Sequence, residues 1–499
     1  MNSWRALRWH EVHRLSEKRV RELQGELLAR HVREYLYPFS PHYRALFDRL
    51  GIAPDSIRSI DDLRRIPFTV KQDLIPSADQ PQRFRDFILQ PDPASLRAAW
   101  PLSRKLSLLL TKWTHGEAAL KERLRREFYP CFMTFTTGRS AEPVPFFYSR
   151  HDLDLLHETG RRLIDVMRLD SEYRVANLFP YAPHLAFWQV VAAGFGSGTM
   201  TLSTGGGKVM GSAGDLRAIA RARAQAIIGV PGYIYHLLRR GVAEGVDLSS
   251  VKVVVLGAER VPAGMKQKIQ ELLGLVGAKG VQVYGTYGFT EARMAFAECP
   301  SADGSSTGYH LYPDLAIFEV IDPVTGEVQP DGADGELVFT PIQGRASTVF
   351  RYRTGDRVRG GIAHGPCAHC GKRLPRISSD LWRESNVKDL QMLKLKGTLV
   401  NLEDCATILS DTREVEEWQI ELRKKNDDPL EVDELHLYLA LRKGADRENT
   451  TLKIRESFKG RIEVSPNRVE CLALEDMLRR IGMETEMKEK RFVDARPKS

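Results

Sequence analysis

The chain contains 499 residues, 42% of them hydrophobic and 28% charged, with a formal net charge of +8. It is too long for one typical domain, long enough to bury a substantial core, and globular in its balance of residue types. No apolar run approaches the ~18–20 residues that cross a bilayer. Six scattered cysteines do not make a disulfide framework, and basic residues spread without a polybasic block suit a polyanionic ligand or a solvated surface without requiring nucleic acid.

The opening stretch, MNSWRALRWHEVHRLSEKRVREL, is charged and lacks the apolar centre of a signal peptide, so cytoplasmic residence is expected. Helices and loops fill the first ~130 residues, punctuated by YPFSPHY and IPFTVKQDLIPSADQPQ. Residues 96–128 predict one or two amphipathic helices in which Leu106, Leu108, Leu109, Leu110 and Trp113 serve packing.

TFTTGRSAEPVP (134–145) follows, a turn of small hydroxyl residues around one glycine. Taken alone it is an ordinary turn or a phosphate cradle. A triphosphate presents many acceptor oxygens, so exposed backbone N–H groups and hydroxyls of Thr136, Thr137, Gly138 and Ser140 suit it, with Arg139 supplying positive charge.

Beyond residue 145 the pattern alternates. HDLDLLHETGRRLIDVMRL and HLAFWQVVAAGF have helical spacing, YRVANLF reads as a strand, and AQAIIGV and VKVVVLG are β-branched runs that predict buried parallel strands. VPAGMKQKIQELLGLV is a helix with Pro262 at its start, and the alternation implies an α/β sheet covered by helices on both faces.

VYGTYGFTEARMAF (283–296) ends a strand with Tyr287, Gly288, Phe289, Thr290 and Glu291. Glycine lets a backbone approach a ligand, Tyr287 offers a stacking face, and Thr290 and Glu291 offer oxygens to phosphate and Mg²⁺. LAIFEVID, GELVFT and VFRYRTGDRV predict further strands, with Asp356 after the last strand and its tight turn, where a carboxylate can accept both hydroxyls of a ribose. Past about residue 390 an α+β tail containing ELHLYLAL follows.

Hydroxyl-rich loop, YGFTE and YRTGD in this order resemble the adenylate-forming superfamily of acyl-CoA synthetases, in its phenylacetate–CoA ligase-like branch; YPFSPHYRALF, DDLRRIPFTVKQDL, VIDPVTGEVQPDGADGELVFT and CGKRLPRI extend the resemblance over nearly the whole chain. The resemblance implies a large N-terminal AMP-binding domain of α/β subdomains and a distorted β-barrel (1–387) and a small mobile α+β C-terminal domain (388–499). It implies ATP-dependent activation of a small-molecule carboxylic acid to acyl-AMP, then transfer to coenzyme A. A non-CoA acceptor and a catalytically weakened nucleotide-binding scaffold remain as alternatives, and a zinc-containing nucleic-acid module ranks third.

By the same resemblance Glu291 holds Mg²⁺, Thr290 contacts phosphate, Asp356 binds ribose with Arg353 nearby, and Gly257, Ala258 and Glu259 of LGAERVP line the adenine. FPYAPHLAFW is similar to the acyl-pocket segment, which nominates Tyr181, His184 and Trp188, though His184 is equally read as a packing histidine. Against a family loop similar to SSGTTGKP, this chain has Arg139 for a threonine, Ala141 for the second glycine and Glu142 for the lysine. GMETEMKEKRFVDARP resembles the family ending that carries a catalytic lysine, placing it at Lys488 with Lys490 as the neighbouring alternative. VKDLQMLKLKG resembles the hinge, with Lys388 for arginine and Leu390 and Gln391 for two acidic residues. Cys367 and Cys370 have zinc-knuckle spacing; related sequences imply Cys299 and His310 as the other structural Zn²⁺ ligands, with His364 and His369 competing for the fourth place.

Overall fold

The computed structural model describes residues 7–77, 79–136, 143–302, 304–383, 393–395, 398–400, 402–428, 431–462, 464–486 and 489–496. Thr137, Gly138, Arg139, Ser140, Ala141, Glu142, the hinge residues Lys388, Leu390 and Gln391, Lys488 and the expected 387/388 domain boundary lie outside them. The chain divides into two compact units: Met1–Tyr173, Ala182–Met200 and Tyr284–Leu381 form the first, and Arg174–Tyr181, Thr201–Val283 and Trp382–Ser499 the second.

In the first unit, helix Glu17–His31 runs into a π-helical turn, Val32–Leu36. Helix Arg150–Met167 starts at Ser149, whose hydroxyl accepts the Asp152 N–H while the Asp152 carboxylate accepts the Ser149 N–H, a reciprocal capping box. Gln282–Phe289, which belongs to this unit from Tyr284 onward, pairs antiparallel with Met294–Ala297 in the register Tyr287↔Phe296 and Phe289↔Met294. Ala316–Ile321, Gly335–Pro341 and Tyr352–Val358 form a second antiparallel run. Their alternating apolar residues, among them Phe296, Leu337, Phe339 and Tyr352, enter one buried core with Leu28, Tyr43 and Phe47 of the N-terminal helices.

The second unit holds the parallel strands Thr201–Ser203, Val175–Asn177, Ala226–Gly229 and Val253–Leu256 in that spatial order. Ala226–Gly229 and Val253–Leu256 are buried along their whole length, as β-branched runs covered on both faces should be. Pro262 caps helix Ala263–Leu275, as the sequence predicts. The same unit includes Val415–Lys424, Asp433–Leu441, Arg468–Cys471 and Phe492–Asp494, a four-stranded mixed sheet with helices Leu402–Asp411, Arg447–Ile462 and Leu474–Ile481.

Two expectations need correction. Residues 102–128 form a helical hairpin kinked at Gly116, but of its expected packing residues only Leu108 joins the core. Leu106, Leu109, Leu110 and Trp113 are exposed, because the inward face of the first arm is taken by Arg104, Ser107, Leu108 and Thr111. Asp356 lies inside the strand Tyr352–Val358 rather than beyond it. The register against the partner strand slips between Glu336 and Val338, where Gly355 adopts φ +74°, so the expected tight turn is a bulge that keeps both ends in the sheet.

Candidate functional site

Four residues, Thr290, Glu291, Ala292 and Arg293, connect the paired strands 282–289 and 294–297. The Ala292 N–H donates to Phe289 O and the Arg293 N–H to Thr290 O, each at 3.1 Å, and Arg293 closes the turn at φ +57°. A non-glycine residue there costs about 1 kcal/mol or more. It is held by a buried ion pair, Arg293 Nη1 to Asp152 Oδ1 at 3.0 Å, and by donation from Arg293 to Phe147 O. Burial pushes the Asp152 carboxyl up, yet the Arg293 guanidinium, His151 and the backbone N–H donors of Ser149 and Ala346 together hold the group below the ordinary carboxylate value. Gly288 is required by close approach, since a Cβ would stand 3.0 Å from that of Ala295 on the facing strand.

The turn is tied to the bulged strand by two phenols. Tyr287 donates to Asp356 Oδ2 and Tyr352 donates to Glu291 Oε1, both at 2.8 Å. Tyr287 of the strand 282–289 thus serves the bulged strand's carboxylate, and Tyr352 of the bulged strand serves the turn's. Thr354 Oγ1 donates to Leu337 O and accepts the Asp356 N–H, pinning the bulge. Glu291 Oε2 accepts no hydrogen bond among the described residues, which leaves a hard oxygen of the kind that Mg²⁺ takes. The Arg353 guanidinium donates to Glu336 and to Pro323 O.

Thr290 also meets the neck formed by Phe135, Thr136 and Val144. Its hydroxyl donates to Phe135 O at 3.3 Å, and His184 Nδ1 approaches the same carbonyl at 3.4 Å. Across the neck, the Val144 N–H reaches Thr136 Oγ1 and the Thr136 N–H reaches Val144 O, each at 3.0 Å. The Phe135 carbonyl therefore gathers three separately nominated segments. Trp188, one turn after His184, packs edge-on against Phe132 and Phe187.

In the second unit, Gly257, Ala258 and Glu259 leave the C-terminal end of strand Val253–Leu256. The Gly257 N–H donates to Gly229 O at 3.1 Å, and the exposed Ala258 adopts φ +68°, a strained conformation of the kind that clusters at ligand sites. Tyr181 is also in this unit, its hydroxyl on Ser203 O at 2.8 Å. Of the two lysines nominated near the C-terminus, Lys488 and Lys490, the latter pairs with Glu486.

Cys299, His310, Cys367 and Cys370 converge in the first unit, their ligand atoms all within 4.8 Å of one another. Cys299 Sγ is 3.7 Å from Cys367 Sγ, and Cys370 Sγ is 3.4 Å from His310 Nε2. A tetrahedral ion with ~2.3 Å metal–sulfur bonds has sulfur–sulfur edges of about 3.8 Å, so the residues fit zinc. His310 Nδ1 faces Ala297 O at 3.3 Å, the outer hydrogen bond that aims Nε2 inward. Hydrogen bonds from Cys299 and then His310 hold the Cys370 thiol well below its ordinary value, favouring the thiolate that a metal takes. His364, an expected competitor, sits instead beside Asp331 and Glu17.

Sequence reasoning missed the supporting residues Tyr352, Asp152 and Arg293. Tyr352 had a signal, standing four positions before Asp356 in the same motif; Asp152 and Arg293 had none, because their pairing joins residues 141 positions apart.

An α/β chain with these motifs has a counterpart among known families: residues 151–344 match the family model described as AMP-binding enzyme. Several of the chain's sequence relatives are phenylacetate-coenzyme A ligases. It is similar to the phenylacetate-coenzyme A ligase of Thermus thermophilus, with 25% identity over 83% of this chain and 81% of the relative. It is also similar to that of Aromatoleum evansii, with 26% identity over 74% and 72%. Among solved structures, 2-hydroxyisobutyryl-CoA ligase, crystallised in the postadenylation state with R3-HIB-AMP, matches 98% of this chain and 92% of its own at a TM-score of 0.73 and 18% identity. That likeness establishes the shared fold. No described helix is long and apolar enough to cross a membrane.

Proposed function

We propose that the chain is an AMP-forming acid–thiol ligase. A carboxylate attacks the α-phosphorus of ATP to give acyl-AMP and pyrophosphate, and the thiol of coenzyme A then displaces AMP to give the thioester. The observation that carries this reading is the reciprocal pairing of Tyr287 with Asp356 and Tyr352 with Glu291 beside the Thr290–Phe135 contact. It sets a ribose-type acceptor and a cation-type ligand on one rigid frame at the neck of a hydroxyl-rich loop.

In this reading Asp356 accepts the ribose hydroxyls, Tyr287 flanks the base, and Thr290 with the Thr136–Ser140 loop donates to phosphate. Glu291 would hold Mg²⁺, which neutralises the polyphosphate as charge shifts to the leaving group. Gly257, Ala258 and Glu259 line the adenine, while Tyr181, His184 and Trp188 border the acyl group. Lys488 stabilises charge on the α-phosphate and carboxylate oxygens. Positioning does most of the catalysis, since no covalent enzyme nucleophile is needed. Cys299, His310, Cys367 and Cys370 would hold a structural Zn²⁺ that fixes the loops following the catalytic turn. The setting is cytoplasmic, where ATP and coenzyme A are supplied.

The test is acid-dependent pyrophosphate release across a panel of carboxylates, with and without coenzyme A, using Glu291→Ala and Lys488→Ala as controls. Release that needs the acid, followed by thioester only when coenzyme A is present, supports the assignment. ATP binding without acid-dependent release refutes it in favour of a nucleotide-binding scaffold, and acyl-AMP formation without thioester moves the acceptor to an amine or a protein.

A further inference from the structure

The helical hairpin Leu102–Phe128 is built inside out. Its two arms run antiparallel: Arg104 pairs with Glu127, Arg123 donates to Ser107 and Thr111, and Leu108 and Leu124 pack against one aromatic cluster. These contacts consume the polar face of the first arm. The opposite face carries Leu102, Leu106, Leu109 and Trp113 at intervals of four, three and four, with Leu110 alongside, the spacing of one continuous helical stripe. Leu102 is 70% exposed, Leu106 54%, Leu109 61%, Leu110 58% and Trp113 85%. A surface helix ordinarily turns such a stripe inward; this one turns it to solvent.

Charge narrows the choice of occupant. Lys105 and Lys112 flank the stripe, and residues 102–115 contain Arg104, Lys105 and Lys112 with no acidic side chain. A second copy pairing through the same face would bring lysine rows together, with only the exposed Glu117, 3.9 Å from Lys112, as nearby compensation. Anionic lipid headgroups compensate them, and a fluid interface accepts a projecting row of leucines and a tryptophan without a complementary groove. The protein's net charge of +8 acts in the same direction.

We propose that the outward stripe of the 102–115 helix docks the protein reversibly on an anionic membrane surface, the leucines and Trp113 entering the headgroup–acyl boundary while Lys105 and Lys112 meet phosphate. This assignment is independent of the ligase reading.

The test is co-sedimentation of the full chain with vesicles of phosphatidylcholine alone and of phosphatidylcholine mixed with phosphatidylglycerol, at low and high salt. Binding is expected to require phosphatidylglycerol and to weaken with salt. The triple variant Leu106→Ser/Leu109→Ser/Trp113→Ser should lose more than about tenfold in partition at unchanged thermal stability, and Lys105→Gln/Lys112→Gln should lose severalfold on the anionic vesicles alone. Absent binding, or binding that the triple variant retains, overturns the proposal. So does a dimer, seen by sedimentation velocity, that the triple variant dissociates, and so does retention on an immobilised acidic polypeptide without vesicle binding.

Discussion

Replacing Asp152 by asparagine tests how the 290–293 turn is held. Asp152 is 3% exposed and Arg293 7%. The carboxylate accepts the Ser149 and Ala346 N–H groups on Oδ2 at 2.9 and 2.8 Å and the Arg345 N–H on Oδ1 at 2.9 Å, besides its 3.0 Å ion pair. At that separation and an effective dielectric of ~20, the gross attraction is about 5–6 kcal/mol. Burial offsets much of it while both partners are present, but neutralising one strands the other. The introduced amide would aim its N–H₂ at either the guanidinium and the Arg345 N–H or the Ser149 and Ala346 N–H groups. The expected loss is about 3–5 kcal/mol, read as a lower denaturant midpoint at unchanged slope for the transition of the first unit. The double variant Asp152→Asn/Arg293→Met should be milder than the single, because no charge is left alone. A single variant costing less than about 1 kcal/mol, or a double no milder than the single, would refute the argument. Asp152 also sets an acid limit. Its lowered pKa makes its contribution complete above the ordinary carboxylate range and lost as pH falls through the folded value.

His31 lies buried and stacked between Tyr35 and Phe350, and neither ring nitrogen has a hydrogen-bond partner among the described residues. Burial, then Arg345, holds its pKa well below 6.5, so the unfolded chain takes a proton there that the folded chain refuses, and stability should fall as pH drops below 6.5; His31→Phe should flatten that limb in pH-dependent denaturation and gain about 1 kcal/mol at neutral pH. Tyr287→Phe removes the donor to Asp356 and should raise KM for ATP about threefold to tenfold with a smaller change in kcat; an unchanged KM separates the phenol from nucleotide binding. Metal analysis should find one zinc per chain, and Cys370→Ser should abolish it while lowering stability by more than about 3 kcal/mol; retention of metal in that variant refutes the four-ligand set.

Sequence pattern revealed the parallel strands Ala226–Gly229 and Val253–Leu256, the helix after Pro262 and the antiparallel strands through Val358, because burial on one or both faces imposes its period on adjacent residues. The family resemblance, rather than pattern, marked Thr290 and His184 around Phe135 O and added Cys299 and His310 to the CxxC pair of the sulfur–histidine cluster. Pattern failed where structure depends on partners distant in the chain. The hairpin at 102–128 shows this: Leu106 and Leu108 are equally apolar in the sequence, and contacts with the second arm and the aromatic cluster, among them Arg104 with Glu127 and Arg123 with Ser107 and Thr111, decide which faces inward. Asp356 was displaced into the strand by a bulge whose extra residues accommodate the partner's register, information that its own motif does not contain.

The crossed tyrosines have a consequence for the life of the chain. Tyr287 and Asp356 stand 69 positions apart and Tyr352 and Glu291 61, so neither carboxylate acquires its phenol from local structure. Closure of such distant contacts is slow and comes only once the intervening strands have paired. A nascent chain that has not yet delivered residue 352 has neither half of the arrangement. The frame is therefore silent through most of synthesis and becomes competent in a single late event.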